Sequence, residues 1–313
     1  MRGRRKPPPP NRLKRASPNI FLKDTQGYRQ NIMLGSEADF VQVVQLISVL
    51  LVAGLIAGFV AGLFGIGGGF VVVPALLLVF EFFGVAPQTT THIAIGSSLA
   101  TIIVTSARSL QAHTRHGAVD YKVLRDWTPW LMLGAFFGIL LASFMDGQAM
   151  KWIFSGGVFL MGLHFIWPVL QPKEAVARDM PGSMIRGGIA TFLGAFSALL
   201  GIGGGTIAVL VMTSCGRSIH QAVATAAGFG IVIALPGALG FAILGIVSHD
   251  ELPFGSFGYI NLLAVGAISA MSFITAPAGA KLAHKLNGPI LKKVFGIYLV
   301  ATSAIVLFNS LGH

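Results

Sequence analysis

Between Asp39 and Glu81 the chain carries no charged side chain. The same holds from Arg186 to Arg217, from Glu251 to Lys281, and from Lys293 to the C-terminus. A helix that crosses a bilayer needs about 20 mostly apolar residues. Each gap is long enough for one such helix, and the first has room for two. Segments of this kind cannot all be hidden from water in one soluble core, so lipid must be the solvent for much of the chain. The composition points the same way, with 54% hydrophobic and 11% charged residues, where a soluble domain carries about 25% charged residues.

The net charge of +11 would in another setting suggest nucleic acid. Here nine of the 22 Lys and Arg residues lie in the first 29 positions, and the others sit mainly between apolar segments. That is the placement expected of a membrane protein, and nucleic acid is not an expected partner. Cys215 is the one cysteine. It excludes an internal disulfide and reads as a small packing residue.

The expected fold is an all-α integral membrane protein with two internal repeats, glycine-broken helices and about eight to ten membrane segments. Residues 1–39 form a basic, proline-rich tail expected to be disordered. The first transmembrane repeat covers 40–170, a polar linker covers 171–186, and the second repeat covers 187–313. The apolar segments fall at about 40–63, 70–83, 92–111, 127–146 and 151–170, then at about 187–201, 206–214, 219–247, 257–280 and 290–311. The run at 70–83 is short for a span, which predicts a re-entrant or broken element there. Five crossings per half would make the repeats inverted, and four would make them parallel. The loops near Tyr121 and Lys285 hold much of the positive charge between segments and are expected on the cytoplasmic side.

The duplication is clearest at two glycine runs, Gly65-Ile-Gly-Gly-Gly69 and Gly201-Ile-Gly-Gly-Gly205. Consecutive glycines weaken a helix and permit positive φ. Backbone groups freed inside a bilayer must meet protein, water or substrate. A helix that restarts after such a break presents N-terminal amides to an anion. The competing explanation is close packing of helices through small residues. The expected site comprises Gly67, Gly68, Gly69, Gly203, Gly204 and Gly205. Ser97, Ser98 and Thr225 add hydroxyls, and Arg108 is a further candidate anion contact. Ser97, Thr101 and Arg108 share one helix face by spacing.

The apolar segments hold almost no carboxylates, which favours an anionic or neutral substrate over a cation. Neither glycine run is followed by Gly-Lys-Ser/Thr, so neither is a nucleotide loop. His113 and His116 lack a third ligand, and no catalytic grouping, metal site or cofactor motif is expected. His164 reads as a core histidine.

Gly65-Ile-Gly-Gly-Gly-Phe-Val-Val-Val-Pro74, Ala94-Ile-Gly-Ser-Ser-Leu99, His113 to Val119 and Gly201-Ile-Gly-Gly-Gly205 together resemble the sulfite exporter TauE/SafE family of membrane permeases. The resemblance covers about residues 40–310. It implies transport of sulfite, organosulfonates or related sulfur and carboxylate anions, as a secondary transporter in a bacterial inner membrane. Its partners would be the lipid bilayer, the anion and a coupling ion, proton or sodium, left open. An anion channel on the same scaffold and a membrane assembly factor are the alternatives.

Overall fold

The computed structural model describes residues 41–60, 63, 68–115, 117–167, 180, 182–283 and 288–311. The tail 1–39, most of the linker (171–179 and 181), Gly65, Gly67, His116 and Lys285 therefore lie outside the described residues. The chain falls into two compact units, Met1–Gln45 and Leu46–His313. Of the first unit, residues 41–45 are described, and they are helical.

The described helices are α1 (Val41–Val60), α2 (Gly69–Phe82), α3 (Pro87–Arg115), α4 (Tyr121–Ala142) and α5 (Gly147–Ile166). They continue with α6 (Ser183–Leu200), α7 (Gly205–Ser214), α8 (Ile219–Val247), α9 (Leu262–Ala283) and α10 (Gly288–Leu311). Helix α6 begins inside the stretch read from sequence as linker. Six of these helices are long and apolar enough to cross a membrane: α1, α3, α5, α6, α8 and α9. Large apolar side chains such as Phe192 (65% exposed) and Leu239 (58%) point away from the protein, as lipid-facing residues must.

One departure from an all-helical reading lies between α8 and α9. Residues 257–280 look like a single apolar segment, but Ser256–Phe257 (β1) pairs antiparallel with Ile260–Asn261 (β2). Gly255 and Gly258 have φ of 80° and 54° and make the turns. Helix α9 starts only after this hairpin. Three glycines let the hairpin reach the helices at backbone distance. A Cβ added at Gly96 or Gly245 would lie 2.2 Å from Tyr259 backbone atoms, and one at Gly258 would lie 1.9 Å from the Ala242 carbonyl oxygen.

Helix starts are set by short polar side chains. Asp120, Asp146 and Ser218 accept hydrogen bonds from Val123, Ala149 and Gln221 amides, capping α4, α5 and α8. Small residues set the closest helix contacts. A Cβ added at Gly134 would fall 2.1 Å from the Thr191 carbonyl oxygen, where α4 meets α6. At Gly58 it would fall 2.3 Å from Ser272 Cα, where α1 meets α9. These glycines serve packing. A stacked Trp127–Phe229 pair, with centroids 5.7 Å apart, joins α4 to α8.

The loops segregate by charge. The turns 83–86 and 143–146 and the loop 248–261 share one end, because Gln88, Asp146 and Asp250 line one cavity there. This end carries Glu81, Asp146, Asp250 and Glu251, with Lys151 paired to Glu81 at 2.5 Å. At the other end Arg217 meets Asp120 at 3.3 Å and Arg186 meets Asp126 at 3.0 Å. Arg115, Lys122 and Arg125 also lie there, flanking the α3–α4 loop.

Candidate functional site

The two glycine runs come together beside the middle of α3. Helix α6 starts at the basic end and stops at Gly201, whose φ of 65° is left-handed. The Ile202 amide donates to the Ser197 carbonyl at 2.9 Å, a left-handed glycine closure that satisfies the end of α6. After Ile202 and Gly203, Gly204 again takes a left-handed φ of 66° and opens α7, which returns to the basic end. Helices α6 and α7 therefore form a hairpin whose tip is the second glycine run.

The first run is built alike where it is described. Gly68 has φ of 77° and opens α2, which runs to the acidic end. Helix α1 leads towards this run alongside α9, with Gly54 against Ile268 and Gly279 against the Phe59 carbonyl oxygen. A Cβ added at Gly69 would fall 2.6 Å from the Gly201 carbonyl oxygen, 2.9 Å from Ile202 Cα and 3.1 Å from Ile102 Cδ1. The start of α2 thus lies against the backbone of the second run. One at Gly203 would meet Ile102 Cγ2 at 3.1 Å and Gly230 Cα at 3.3 Å. For Gly205 the nearest described atom is Ala226 Cβ, at 4.0 Å.

Two helix N-termini therefore point at one region from opposite ends of the protein. Each carries the positive end of its helix dipole and a first turn of amides. In α7 the first ladder bond from inside the helix is Ala208 N to the Gly204 carbonyl, 3.1 Å, so the amides of Gly205, Thr206 and Ile207 come before it. Beside them lies Ser197 Oγ, buried and without a hydrogen-bond partner. It sits 3.1 Å from where a Gly204 Cβ would be. A buried hydroxyl with no partner costs about 1–3 kcal/mol, so this atom needs a reason. Sequence reasoning missed Ser197, because a lone serine in an apolar helix reads as packing.

The predicted hydroxyls are all buried, and each has a defined partner. Ser98 Oγ donates to the Gly201 carbonyl at 2.8 Å and holds the second tip to α3. Ser97 Oγ accepts from the Asn261 amide at 2.8 Å. Thr225 Oγ1 accepts from the Asp120 amide at 2.9 Å and donates to the Gln221 carbonyl at 2.8 Å. The structure thus brings Ser98 to the described glycines, whereas Ser97 and Thr225 are bonded to the start of α9 and of α4.

A family model described as sulfite exporter TauE/SafE matches residues 50–306. The chain belongs to this family. A "probable membrane transporter protein" of Haemophilus influenzae is 34% identical over 253 residues, 81% of this chain and 95% of the relative. Another of that name from Methanocaldococcus jannaschii is 27% identical over 257 residues, covering 81% of this chain and 91% of the relative. A third, from Bacillus subtilis, is 24% identical and covers 84% of this chain and 98% of its own length. No solved structure matches the chain. With six helices fit to span, this TauE/SafE chain is a multi-pass membrane transporter.

The remaining sequence candidate, Arg108, lies apart from the TauE/SafE glycine tips. Its guanidinium stands 4.6 Å from the Phe273 ring centre on α9 and donates to Gln111 Oε1 at 3.4 Å. Stacking on an aromatic face suits Arg, and this is the position of an anchor near a helix end. Among the described residues no group of three or more His, Cys, Asp or Glu side chains could hold a metal.

Proposed function

We propose that this protein is a secondary transporter for small anions such as sulfite or organosulfonates, working by alternating access in a bacterial inner membrane. The observation that carries the reading is the meeting of two left-handed glycine tips. Gly68 and Gly204 each open a helix whose positive end faces the region where Gly69 abuts the Gly201 carbonyl. Amides and hydroxyls aimed at one place favour an anion without a fixed charge. The unpartnered Ser197 hydroxyl supports a ligand contact there.

Under this reading the chain consists of two inverted repeats, about 40–170 and 187–313, joined by the linker 171–186. Each contributes one helix pair that meets at its glycine run, whose first arm, α1 or α6, is itself apolar enough to span, followed by three crossings, α3–α5 and α8–α10. One pair, α1–α2, enters from the acidic end, and the other, α6–α7, from the basic end. Broken helices with their N-termini near the midplane are a recurring way to hold an anion in such transporters. Three crossings per half rather than four also bring every basic inter-helix loop to one side. By the positive-inside tendency that side, with Tyr121, is cytoplasmic.

The test is uptake of sulfite and a panel of organosulfonates into proteoliposomes, with binding measured by label-free titration. Uptake should saturate and be driven uphill by a counter-gradient. Gly68→Ala and Gly204→Ala should each weaken binding about ten-fold to over a hundred-fold, the loss of one charge-assisted hydrogen bond worth roughly 1.5–3 kcal/mol. Unchanged affinity in both variants, in monodisperse protein, would overturn the site. Flux that never saturates would mean a channel.

A further inference from the structure

A cavity of about 220 Å³ lies at the acidic end, away from the glycine tips. Its rim is exposed and polar, with Gln88, Ser143, Asp146 and Asp250. Its floor is His92 and Tyr259, which are 5% and 6% exposed. Their rings stand 5.0 Å apart between centroids. Tyr259 donates to Asp250, and its hydroxyl oxygen lies 3.0 Å from Ser248 Oγ, from which it can accept. Burial, and next the bond to Asp250, push Tyr259 up to about 12, so its hydroxyl keeps its proton. His92 Nδ1 is buried and makes no hydrogen bond, although the carbonyls of Ala142, Gln88 and Met145 lie near the ring.

The surroundings select what this site can take. Among the described residues, the ionisable groups at this end are Asp146, His249, Asp250, Glu251, Tyr259 and the Glu81–Lys151 pair of α2 and α5. Asp146, Asp250 and Tyr259 line the cavity with His92, on the α4–α5 turn, the loop after α8 and the hairpin respectively. Two carboxylates at the rim repel an anion, so the cavity is a poor outer site for the transported species. They attract cations, and no metal-ligand cluster is present among the described residues. A histidine with an unused ring nitrogen below carboxylates is suited to a proton.

We propose that His92 is a proton-binding site filled from the acidic face, and that this proton is the ion coupled to anion movement. The inference rests on the transport reading above. A hydronium ion entering at the rim gives its proton to the neutral imidazole, leaving water and an imidazolium. The charge then sits on α3, the helix that holds both the hairpin through Ser97 and the second glycine tip through Ser98. A buried imidazolium needs a counter-charge, and Asp250 is the carboxylate facing it. Protonation therefore draws on the loop that closes this end.

Two measurements separate this inference from the substrate assignment. The first uses methanesulfonate, which stays ionised throughout, with a pH dye trapped in proteoliposomes. Any proton that moves with it is carried by the protein. His92→Gln should reduce proton movement at least ten-fold more than it reduces isotope exchange of methanesulfonate, and Asp250→Asn should slow proton movement several-fold. Equal losses of both fluxes in His92→Gln, or proton movement as in the wild type, would overturn the proposal. The second needs no substrate. Diethyl pyrocarbonate attacks only neutral imidazole, so its attachment to His92, read by mass spectrometry, should rise with pH between pH 5 and 8 along a single titration curve. If methanesulfonate is not carried at all, the substrate reading fails and this titration decides the proton site. No labelling of His92 at any pH, or a pH-independent rate, would sink it.

Discussion

Two buried hydroxyls do the same task in different company. Ser97 on α3 accepts the amide of Asn261, the residue before α9. Thr225 on α8 accepts the amide of Asp120, the residue before α4. Both partners then cap their own helices, Asn261 Oδ1 accepting from Ala264 and Asp120 Oδ1 from Val123. Each half thus pins the fourth helix of the other half. The chemistry differs with the end of the protein. Asn261 is fully buried, and its amide group donates to the Phe254 carbonyl and Ser256 Oγ. Asp120 is charged and sits against Arg217 at the basic end. The backbone device is common to both, whereas the cap residue is matched to its local field and solvent access.

Swapping the caps is the strongest way to break this comparison. Asn261→Asp would place a charge where solvent does not reach and set a carboxylate oxygen against the Phe254 carbonyl. A buried, uncompensated charge costs about 3 kcal/mol or more. Asp120→Asn keeps the cap and loses only a partly exposed ion pair, worth about 1 kcal/mol or less. Thermal unfolding in detergent should therefore separate the two swaps widely. Similar melting shifts would mean that burial at Asn261 does not isolate it as the geometry implies.

The pins themselves should differ less. Ser97→Ala leaves the buried Asn261 amide without an acceptor, at a cost of about 1–3 kcal/mol. Thr225→Val leaves the Asp120 amide at a loop that water reaches, so the expected loss is nearer 1 kcal/mol. The same unfolding assay ranks them. A larger loss at Thr225 would reverse the assignment of which pin is sealed.

Much of this was legible in the sequence, but only locally. Long charge-free runs point to the helices, and the repeated glycine runs mark where two of them restart. Ser97 and Thr225 stand out as hydroxyls in apolar segments. Their partners could not be read, because Ser97 bonds a residue 164 positions away and Thr225 one 105 positions away. Spacing along one helix says nothing about contacts set by how helices pack. The hairpin was missed for a different reason. Phe257, Tyr259 and Ile260 carry enough apolar weight to merge with α9, although Gly255, Gly258 and Asn261 are turn and cap signals. His92 was visible as a residue, but its cavity is assembled from four separate stretches of chain. Ser197 gave no sign at all, since its meaning lies in a bond it does not make.

The smallest expected effect concerns the charge at the Asp120 cap. Arg217 Nη2 lies 3.3 Å from Asp120 Oδ2, with the arginine side chain 39% exposed and the carboxylate 12% exposed. An ion pair that is open to water on one side is weakened by salt. Arg217→Gln should therefore cost about 0.5 kcal/mol or less, and the difference from wild type should vanish as salt is raised from low to roughly twice physiological strength. The Asn261 cap has no charged partner and should show no such salt dependence when its neighbour Ser256 is changed to Ala. If Arg217→Gln is costly and the cost survives high salt, the pair is a sealed structural contact, and the contrast between a charged, wetted cap and a neutral, dry one no longer holds.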